Sequence, residues 1–254
     1  MTNQKVLVLI PTLNEAVSIR KVMDDVHYTM RLHRIDYDLV VADGGSTDGT
    51  VQIVQQMNQR IMVLPKGKGT QVRAALELLD LQSNIDPDLR YDYLFMLDGD
   101  GTYPPAHIPF LLQCLLPVEE KNYDYISAMG KLYNTQYDVV CGRRQFREPG
   151  AMSRINLFGN TMLTVLADLV YWPSYTGDLC TGLWGFRREA LEKMKLSARG
   201  FELEADLFAN AAKLNMRIGC WPIVYKARAD GDRPKLKVRD GGQIAWRLLR
   251  ERFK

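Results

Sequence analysis

The chain has 254 residues, of which 46% are hydrophobic and 25% are charged, and its net charge is +3. This length allows one large domain or two small ones with a full core, and the composition is that of a globular protein, which excludes disordered and fibrous classes. No apolar run approaches about 18 residues and no signal peptide opens the chain, so we expect no membrane span.

The placement of charged residues and of cysteines indicates the kind of partner and the redox compartment of the protein. Between positions 226 and 254 there are ten Lys and Arg residues against four Asp and Glu. Such a basic end favours an anionic partner, which is a nucleic acid, a phospholipid or a phosphorylated substrate. The cysteines are widely spaced without a C-x-x-C motif, which favours a reducing compartment and no cysteine-based zinc site. They are Cys114, Cys141, Cys180 and Cys220.

The first half of the chain alternates strands and helices. Short apolar or β-branched runs that end at Pro, Gly or Asp predict strands, and the segments between them predict helices. The predicted strands are residues 5–10, 37–42, 61–64 and 92–97. The predicted helices are 15–33, 48–59, one that residues 66–69 open and that runs to 81, and one that starts at Tyr103. This alternation is typical of a mostly parallel sheet with helices on both faces.

The second half of the chain is less regular. We predict an irregular stretch with one short helix at most over 117–136, then a strand at 138–141 and a basic loop at 142–147. The later predicted elements are helices at 153–171, 188–194 and 202–214 and strands at 183–187 and 218–225. Because no repeat or low-complexity linker interrupts the chain, we predict a single α/β domain over 1–238 and a basic amphipathic helix over 239–254.

The apolar run Y-L-F-M-L at 93–97 leads into two carboxylates, Asp98 and Asp100. An apolar run followed by glycine-containing turn chemistry predicts a buried strand that ends in a loop, and ligands of open α/β sheets bind just outside such strand ends. Two adjacent carboxylates repel each other unless a cation or a proton lies between them. The pair therefore indicates a divalent metal bridged to phosphate oxygens, with a solvated Asp-Gly loop as the alternative.

Three more polar loops follow predicted strands, at Pro11–Glu15, Asp43–Asp48 and Lys66–Gly69. Each alone is typical of an ordinary turn, and the two lysines of the third loop also fit a solvated turn. Because parallel strands bring their carboxyl ends to one edge of the sheet, the loops together predict a nucleotide crevice. The absence of G-x-x-x-x-G-K-[ST], and of G-x-G-x-x-G after the first strand, argues against kinase-type NTPases and dinucleotide dehydrogenases.

Taken in order, the motifs resemble glycosyltransferase family 2 with the GT-A nucleotide-sugar fold. They are P-T-L-N-E (11–15), D-G-G-S-T-D-G-T (43–50), G-K-G (67–69), Y-L-F-M-L-D-G-D (93–100) and P-P (104–105). Later motifs resemble the polyprenyl-phosphate sugar synthases, such as dolichyl-phosphate mannose and glucose synthases. These are V-C-G-R-R (140–144), S-R-I-N (153–156), D-L-C-T-G-L-W-G-F-R (178–187), G-F-E-L-E (200–204) and W-P-I-V-Y-K-A-R (221–228) with K-L (235–236).

The resemblance implies roles for the residues that match these motifs. Asp98 and Asp100 would hold Mg²⁺ or Mn²⁺ on the diphosphate of the donor, and together with Arg143 they form the predicted catalytic set. The nucleotide-sugar donor would be bound by Pro11, Asn14, Glu15, Asp43, Lys68, Arg73, Asp98, Gly99 and Asp100. The phosphate of the acceptor would be bound by Arg143, Arg154, Arg228 and Lys235, as clustered guanidinium groups bind phosphate.

Some positions depart from the family pattern or stay ambiguous. The paired Asp that usually follows the second strand is Asp-Gly (43–44) here. Thr102 replaces a Gln that many relatives carry two positions after the second metal Asp, which leaves the third metal ligand open. Many relatives end in transmembrane helices, for which this sequence gives no signal. Glu202 and Glu204 fit helix caps or pocket residues, and Asp178 fits a loop residue or an acceptor ligand.

The implied reaction is inverting transfer of a hexose from a GDP-mannose- or UDP-glucose-type donor to a polyprenyl (dolichyl) phosphate, with the metal as Lewis acid on the departing nucleoside diphosphate. A phosphate acceptor is already ionised near neutral pH, so we predict no general base. Two alternatives stay open. One is a soluble transferase for a small phosphorylated acceptor such as 3-phosphoglycerate, and the other is a non-catalytic protein that binds sugar nucleotides.

The predicted C-terminal helix interleaves apolar residues such as Trp246 and Phe253 with basic ones such as Arg250 and Arg252. A short basic helix with aromatic residues is typical of one that lies on an anionic lipid surface, and packing on its own domain or on a partner chain is the alternative. We therefore expect a peripheral protein on the cytoplasmic face of a membrane. The oligomeric state stays open, and no motif supports a nucleic-acid partner.

Overall fold

Seven strands lie in the part of the chain that the computed structural model describes, which is residues 4–121, 135–229, 235 and 240–254. They are β1 (Lys5–Thr12), β2 (Asp36–Asp43), β3 (Arg60–Val63), β4 (Tyr93–Met96), β5 (Val139–Arg147), β6 (Trp184–Arg187) and β7 (Ile218–Tyr225). All belong to one sheet with the order β3-β2-β1-β4-β6-β5-β7.

Neighbouring strands are parallel except around β6. β1 pairs in parallel with β2 and β4, β2 with β3, and β5 with β7, whereas β6 runs antiparallel to both β4 and β5. The predicted α/β fold with a mixed, mostly parallel sheet is therefore confirmed. From β1 the chain proceeds outward to β2 and β3 and then returns to β4 on the other side of β1. The order of strands thus reverses between β1 and β4.

The helices among the described residues cover both faces of this sheet. Their bounds are α1 (Ile19–Leu32), α2 (Thr50–Gln56), α3 (Lys68–Ile85), α4 (Ile108–Leu115), α5 (Arg154–Val170), α6 (Arg188–Lys193), α7 (Leu203–Lys213) and α8 (Asp240–Arg252). Most agree with the predicted helices to within a few residues. Of the irregular stretch predicted at 117–136, residues 122–134 lie outside the described residues.

Two apolar layers form the core, one on each face of the sheet. Val8 and Ile10 of β1 belong to one layer and Leu7 and Leu9 to the other, because successive side chains of a strand point to opposite faces. The first layer packs with α1, α2 and α4, and the second with α3 and α5 to α8. Each fully buried aliphatic side chain contributes about 1.5–3 kcal/mol, so the strand ends are held firmly in place.

The structure corrects the predicted loop at 142–147. Those residues continue β5 as far as Arg147, because they pair with β7 up to Tyr225. Four charged or amide side chains in six positions suggested a loop, but an edge region with one solvated face accepts such residues. The correction matters for the site, since neighbouring residues of a strand cannot point the same way.

The C-terminal helix α8 packs on the domain itself. Ile244 and Leu248 are buried, and α8 lies against α5 and α7. Arg247 is also buried, with its guanidinium 3.3 Å from Glu202 and 3.2 Å from Glu251. Packing on its own domain, which was the alternative from the sequence, is therefore observed, and contact of its outer side with a membrane stays a prediction. None of the described helices is long and apolar enough to cross a bilayer.

Candidate active site

A cleft opens at the carboxyl ends of β1 and β4. Its lining comes from the ends of β1, β4, β5 and β7, the starts of α3 and α7, and one side of α8. This is the edge at which the strand order reverses, and ligands of open α/β sheets bind at such a switch point. The sheet topology therefore brings together residues that are as much as 230 positions apart in the chain, such as Pro11 and Ile244.

Asp98 lies in this cleft beside a buried lysine. Its Oδ1 is 2.6 Å from Nζ of Lys68, and the same Nζ is 2.5 Å from Oε1 of Glu204. Burial would lower the pKa of Lys68, but the charges of Asp98 and Glu204 outweigh it and raise the pKa above its usual value. Burial raises the pKa of Glu204, with Lys68 acting against this and Asp98 adding to it. One ammonium group thus bridges two carboxylates.

Asp100 is buried, and both of its carboxylate oxygens have partners. Its Oδ2 is 2.6 Å from a terminal nitrogen of Arg228, and its Oδ1 accepts hydrogen bonds from the Thr102 backbone N–H at 3.1 Å and the Thr102 hydroxyl at 2.7 Å. Burial would lower the pKa of Arg228, but the Asp100 charge raises it, so the guanidinium stays charged. Thr102 therefore orients the carboxylate, as hydrogen-bond partners behind metal ligands commonly do.

Arg144 and Asp178 form a buried pair in the cleft wall. Nε of Arg144 donates to Asp178 Oδ2 at 2.8 Å and Nη2 donates to Oδ1 at 2.6 Å, the two-pronged geometry favoured between guanidinium and carboxylate. Burial would raise the pKa of Asp178, but the Arg144 charge and its hydrogen bonds lower it below the usual value. Nη1 of Arg144 has no hydrogen-bond partner in the described part of the chain and could bind an incoming anion.

Two glycines allow the chain to close around the acid pair. A Cβ atom at Gly182 would lie 2.2 Å from Oδ2 of Asp98, and one at Gly99 would lie 2.7 Å from the methyl group of Thr12. Real Cβ atoms do not come this close to other atoms, so a side chain at either position would clash. The cleft floor therefore needs glycine at both positions for close approach, independently of backbone conformation.

Comparison with known proteins agrees with this geometry. A family model described as "Glycosyl transferase family 2" matches residues 7–195, which include most of β1, all of β4, and Asp98 and Asp100 of the cleft. The chain belongs to glycosyl transferase family 2. The predicted family is thereby confirmed.

Relatives of this glycosyltransferase include two haloarchaeal proteins from Haloferax volcanii. Glycosyltransferase AglJ is 31% identical over 253 residues, covering 98% of this chain and 72% of AglJ. The low-salt glycan biosynthesis hexosyltransferase Agl6 is 29% identical, covering 96% of this chain and 52% of Agl6. Among solved structures, glucosyl-3-phosphoglycerate synthase from Mycobacterium tuberculosis with Mn²⁺, UDP-glucose and phosphoglyceric acid aligns over 98% of this chain and 80% of its own. Its TM-score of 0.65 at 20% identity supports the GT-A fold.

The structure gathers eight of the thirteen predicted site residues of this glycosyltransferase. The residues that line the cleft are Pro11, Glu15, Lys68, Asp98, Gly99, Asp100, Arg228 and Lys235. The Lys235 ammonium pairs with the Glu15 carboxylate and contacts the Asn14 carbonyl at 3.2 Å. The two predicted metal-binding aspartates and two of the four predicted acceptor-binding residues, Arg228 and Lys235, therefore lie in the same cleft.

Two residues that were predicted to bind the sugar-nucleotide donor accept hydrogen bonds from backbone N–H groups instead. Asp43 is fully buried and accepts from the backbone N–H groups of Gly45 and Ser46 at 2.9 and 2.8 Å, so it folds the loop after β2 and does not line the cleft. Asn14 is exposed with a positive φ of 54°, and its side chain accepts from the Thr47 N–H. Asp commonly closes a local turn in the way that Asp43 does, whereas Asn14 links the loop after β1 to the loop after β2.

Three predicted arginines also lie outside the cleft lining. Arg73 donates weakly to the Leu196 carbonyl at 3.5 Å, and Arg154 is exposed at the start of α5. Arg143 bonds to the Gln145 side chain, because it points to the opposite side of β5 from Arg144. Arg144, and not the predicted Arg143, therefore lines the cleft, because neighbouring side chains of a strand point to opposite faces.

Sequence reasoning missed several residues that line the cleft. Arg144, Tyr103 and Ile244 were not predicted there, and Glu204 was left ambiguous. Glu202, the other ambiguous carboxylate, accepts from the Arg199 and Gly200 N–H groups and so is a loop residue. A signal existed for Arg144, since G-R-R directly follows an apolar strand and one of the two arginines must face each side.

The donor set of the cleft fits a divalent metal in part. Asp98 and Asp100 provide carboxylate oxygens, which Mg²⁺ and Mn²⁺ prefer, and both line the cleft. No group of three or more His, Cys, Asp or Glu side chains that could hold a metal occurs among residues 4–121, 135–229, 235 and 240–254. The two aspartates thus fit an ion whose other ligands come from a bound diphosphate and water.

Proposed function

We propose that this glycosyltransferase moves a hexose, with inversion, from a nucleotide-diphosphate sugar to a polyprenyl phosphate at the cytoplasmic face of a membrane. One observation carries the choice of a lipid acceptor. The cleft with its basic residues lies beside a helix, α5, that is apolar on its outer side as well as on the side that faces the core.

The outer side of α5 forms a continuous exposed stripe, called here the apolar face. Its members recur at intervals of three and four residues, which places them on one side of a helix. They are Ile155, Phe158, Met162, Val165 and Leu169, exposed by 48% to 73%, and Trp172 follows at 79%. Contiguous exposed apolar surface of this kind marks contact with a membrane or another protein.

Basic residues accompany the apolar face. Arg154 is exposed at the start of α5, and α8, which packs on α5, exposes Trp246 and Phe253 together with Arg250 and Lys254. Aromatic and basic residues at the edge of an apolar surface favour an anionic lipid headgroup layer, to which each basic group contributes about 1 kcal/mol. A second protein would not require this excess of positive charge.

Both helices connect the apolar face to the cleft. Asn160 of α5 donates to Asp178 at 2.9 Å and accepts from the Cys180 N–H at 3.1 Å, and Cys180 lines the cleft. Ile244 of α8 lines it too. A lipid whose chain lies along the apolar face could therefore present its phosphate to Arg144, whose Nη1 is available for a further anion.

The roles of the cleft residues follow from their charges. Asp98 and Asp100 would hold Mg²⁺ or Mn²⁺, which as a Lewis acid would offset the charge that develops on the departing nucleoside diphosphate. Lys68 and Arg228, which pair with the two aspartates, would face the diphosphate of the donor, and Arg144 and Lys235 would receive the phosphate of the acceptor. Since that phosphate is already ionised, its oxygen needs orientation and no general base.

The test uses labelled donors and two acceptors. The enzyme is incubated with Mn²⁺ and radiolabelled UDP-glucose or GDP-mannose, with either a polyprenyl phosphate in detergent or 3-phosphoglycerate in water. We expect label to enter the organic phase with the polyprenyl phosphate. Label that stays in a phosphorylated water-soluble product would favour the small-acceptor alternative, and no transfer or donor hydrolysis with any acceptor would favour a sugar-nucleotide-binding protein.

A further inference from the structure

Each of the two acidic residues at the end of β4 is already neutralised by a basic side chain of the chain itself. Lys68 lies 2.6 Å from Asp98, and Arg228 lies 2.6 Å from Asp100. Lys68 and Asp100 are largely buried, with 13% and 8% of the side chain exposed. Their partners Asp98 and Arg228 keep 26% and 22% of the side chain exposed, and salt screens such partly buried pairs less than it screens surface pairs.

These internal cations lie where a metal ion would bind. A carboxylate oxygen has two lone pairs and can contact both a metal and a hydrogen-bond donor, but a divalent ion on Asp98 and Asp100 would lie close to the ammonium group of Lys68 and the guanidinium group of Arg228. Like charges at such a distance repel each other. Metal binding at these carboxylates is therefore favoured when both basic groups move to another anion.

The charge balance of the cleft points to that anion. The carboxylates of Asp98, Asp100 and Glu204 and the two basic groups of Lys68 and Arg228 carry one net negative charge. A divalent metal alone would make this group positive, and the diphosphate of a sugar nucleotide alone would make it strongly negative. Metal and diphosphate together leave the charge unchanged, because one is a dication and the other a dianion.

We propose that Lys68 and Arg228 are internal counter-ions that make metal binding depend on the donor. In the free enzyme they hold the carboxylates and compete with the metal. When the diphosphate enters, it attracts both basic groups, which frees Asp98 and Asp100 for the ion. This inference rests on the metal and the nucleotide donor of the proposed function and adds a coupling between them.

Glu204 has a separate part in this arrangement as a positioning residue. It holds the same ammonium group as Asp98, at 2.5 Å, and is itself buried. When Lys68 leaves Asp98, the bond to Glu204 keeps the ammonium group in the cleft within reach of the diphosphate. A Lys68 side chain without this anchor would be free to leave the site.

The experiment measures Mn²⁺ binding to the enzyme by the loss of the free-ion electron paramagnetic resonance signal, without acceptor, alone and with saturating UDP or GDP. A titration of the nucleotide without enzyme gives the Mn²⁺ that the nucleotide binds by itself, which is subtracted. We expect the dissociation constant for Mn²⁺ to fall by about 5–150-fold when the preferred nucleotide is present, the usual range of coupling between sites. In Lys68→Met the ion should bind more tightly without nucleotide. The ratio of the Mn²⁺ dissociation constants without and with nucleotide, called here the Mn²⁺ ratio, should therefore shrink.

Matched variants separate charge from folding. Lys68→Arg keeps the positive charge and should keep the coupling, whereas Arg228→Met should tighten Mn²⁺ binding in the absence of nucleotide as Lys68→Met does. Lys21→Met removes an exposed lysine of α1 that pairs with Asp25 and should leave the Mn²⁺ ratio unchanged. Thermal unfolding of every variant identifies those that fail to fold, and the Arg228 variant keeps the test valid if Lys68→Met is among them.

Three outcomes would overturn the inference. Equal Mn²⁺ affinity with and without either nucleotide would remove the coupling while leaving the metal and the transfer reaction of the proposed function intact. Weaker Mn²⁺ binding by Lys68→Met in both conditions would show that Lys68 supports the ion and does not compete with it. Absence of Mn²⁺ binding under all conditions would contradict the metal of the proposed function itself, and this inference with it.

Discussion

At the scale of single residues, the cleft is defined by which partner each charged side chain takes. Asp98 and Asp100 were predicted from the end of an apolar run, and the structure places both in the cleft. Asp43 could not be separated from them by sequence, because an aspartate after a strand has the same local pattern whether its oxygens face a ligand or two backbone N–H groups. Only the backbone geometry after β2 decides this.

The pair of Arg144 and Asp178 should stabilise the fold as well as form the cleft wall. Asp178→Asn leaves a buried guanidinium without its carboxylate, so we expect a loss of about 3–5 kcal/mol in the free energy of unfolding, measured by urea denaturation. Asp25→Asn is the control, because it removes an exposed pair with Lys21 that contributes about 0–1 kcal/mol. Equal losses in both variants would contradict the account.

The same pair predicts a pH dependence. The pKa of Asp178 is lowered in the folded protein, so its stabilising contribution is complete above the unfolded value of about 3.9 and is lost as the pH falls through the lower folded pKa. The difference in unfolding free energy between the wild type and Asp178→Asn should therefore be constant near neutral pH and shrink in acid. A difference that grows as the pH falls would show that the sign is wrong.

Close packing around Asp98 gives a test that leaves every charge in place. Gly182→Ala puts a methyl group 2.2 Å from Oδ2 of Asp98, and we expect about 1–3 kcal/mol of destabilisation together with a fall in kcat. Gly159→Ala is the matched control, because nothing lies within 4 Å of that position in α5 and alanine favours a helix by about 1 kcal/mol. Normal turnover in Gly182→Ala would mean that Asp98 can move away without effect.

At the scale of elements, β5 and α8 show where sequence patterns were insufficient. The basic residues 142–147 looked like a loop, yet pairing with β7 makes them a strand and selects Arg144 over Arg143. For α8 the sequence allowed either a lipid surface or packing on its own domain, and only the structure shows that Ile244 and Leu248 are buried against the domain. The element that determines the structure is β7 for β5 and α7 for α8. In both cases this partner is separated from the segment along the chain, so the local composition does not indicate it.

The docking of α8 should depend on its buried arginine. Arg247 lies 3.3 Å from Glu202 and 3.2 Å from Glu251, so Arg247→Met removes the cation beside Glu202 and leaves Glu251 with Lys254 alone, at 3.0 Å. We expect faster hydrogen exchange along 240–254 and a higher KM for the acceptor, because Ile244 of this helix lines the cleft. Arg250→Met, an exposed change on the same helix, is the control. Unchanged exchange in Arg247→Met would show that the apolar contacts suffice.

The apolar face of α5 predicts membrane binding. Phe158→Glu with Leu169→Glu replaces two side chains exposed by 68% and 73%, so the fold should tolerate the change while vesicle binding falls about tenfold or more. Cosedimentation with vesicles of anionic and neutral phospholipid measures it. Tyr28→Glu on α1, which is 68% exposed, is the control. Equal binding by the double variant would assign the apolar face to another partner.

At the scale of the whole molecule, the fold could be predicted in outline because alternating strands and helices admit few topologies, and right-handed parallel connections place successive loops at one edge. The strand order added what the sequence lacks. β6 runs antiparallel between β4 and β5, and β7, α7 and α8 bring Arg228, Glu204 and Ile244 to the cleft that the first half of the chain forms. The part of the cleft formed by the first half of the chain was thus more predictable than the part formed by the second half.

The central claim is that Asp98 and Asp100 hold a divalent cation on the diphosphate of the donor. The most direct test is the initial rate of sugar transfer in an excess of EDTA, followed by the addition of Mn²⁺ in excess over the chelator. The account predicts that transfer stops in EDTA and returns with Mn²⁺, and that Asp100→Ala, still folded by circular dichroism, gives no transfer in either condition. Transfer at the full rate in EDTA would contradict it.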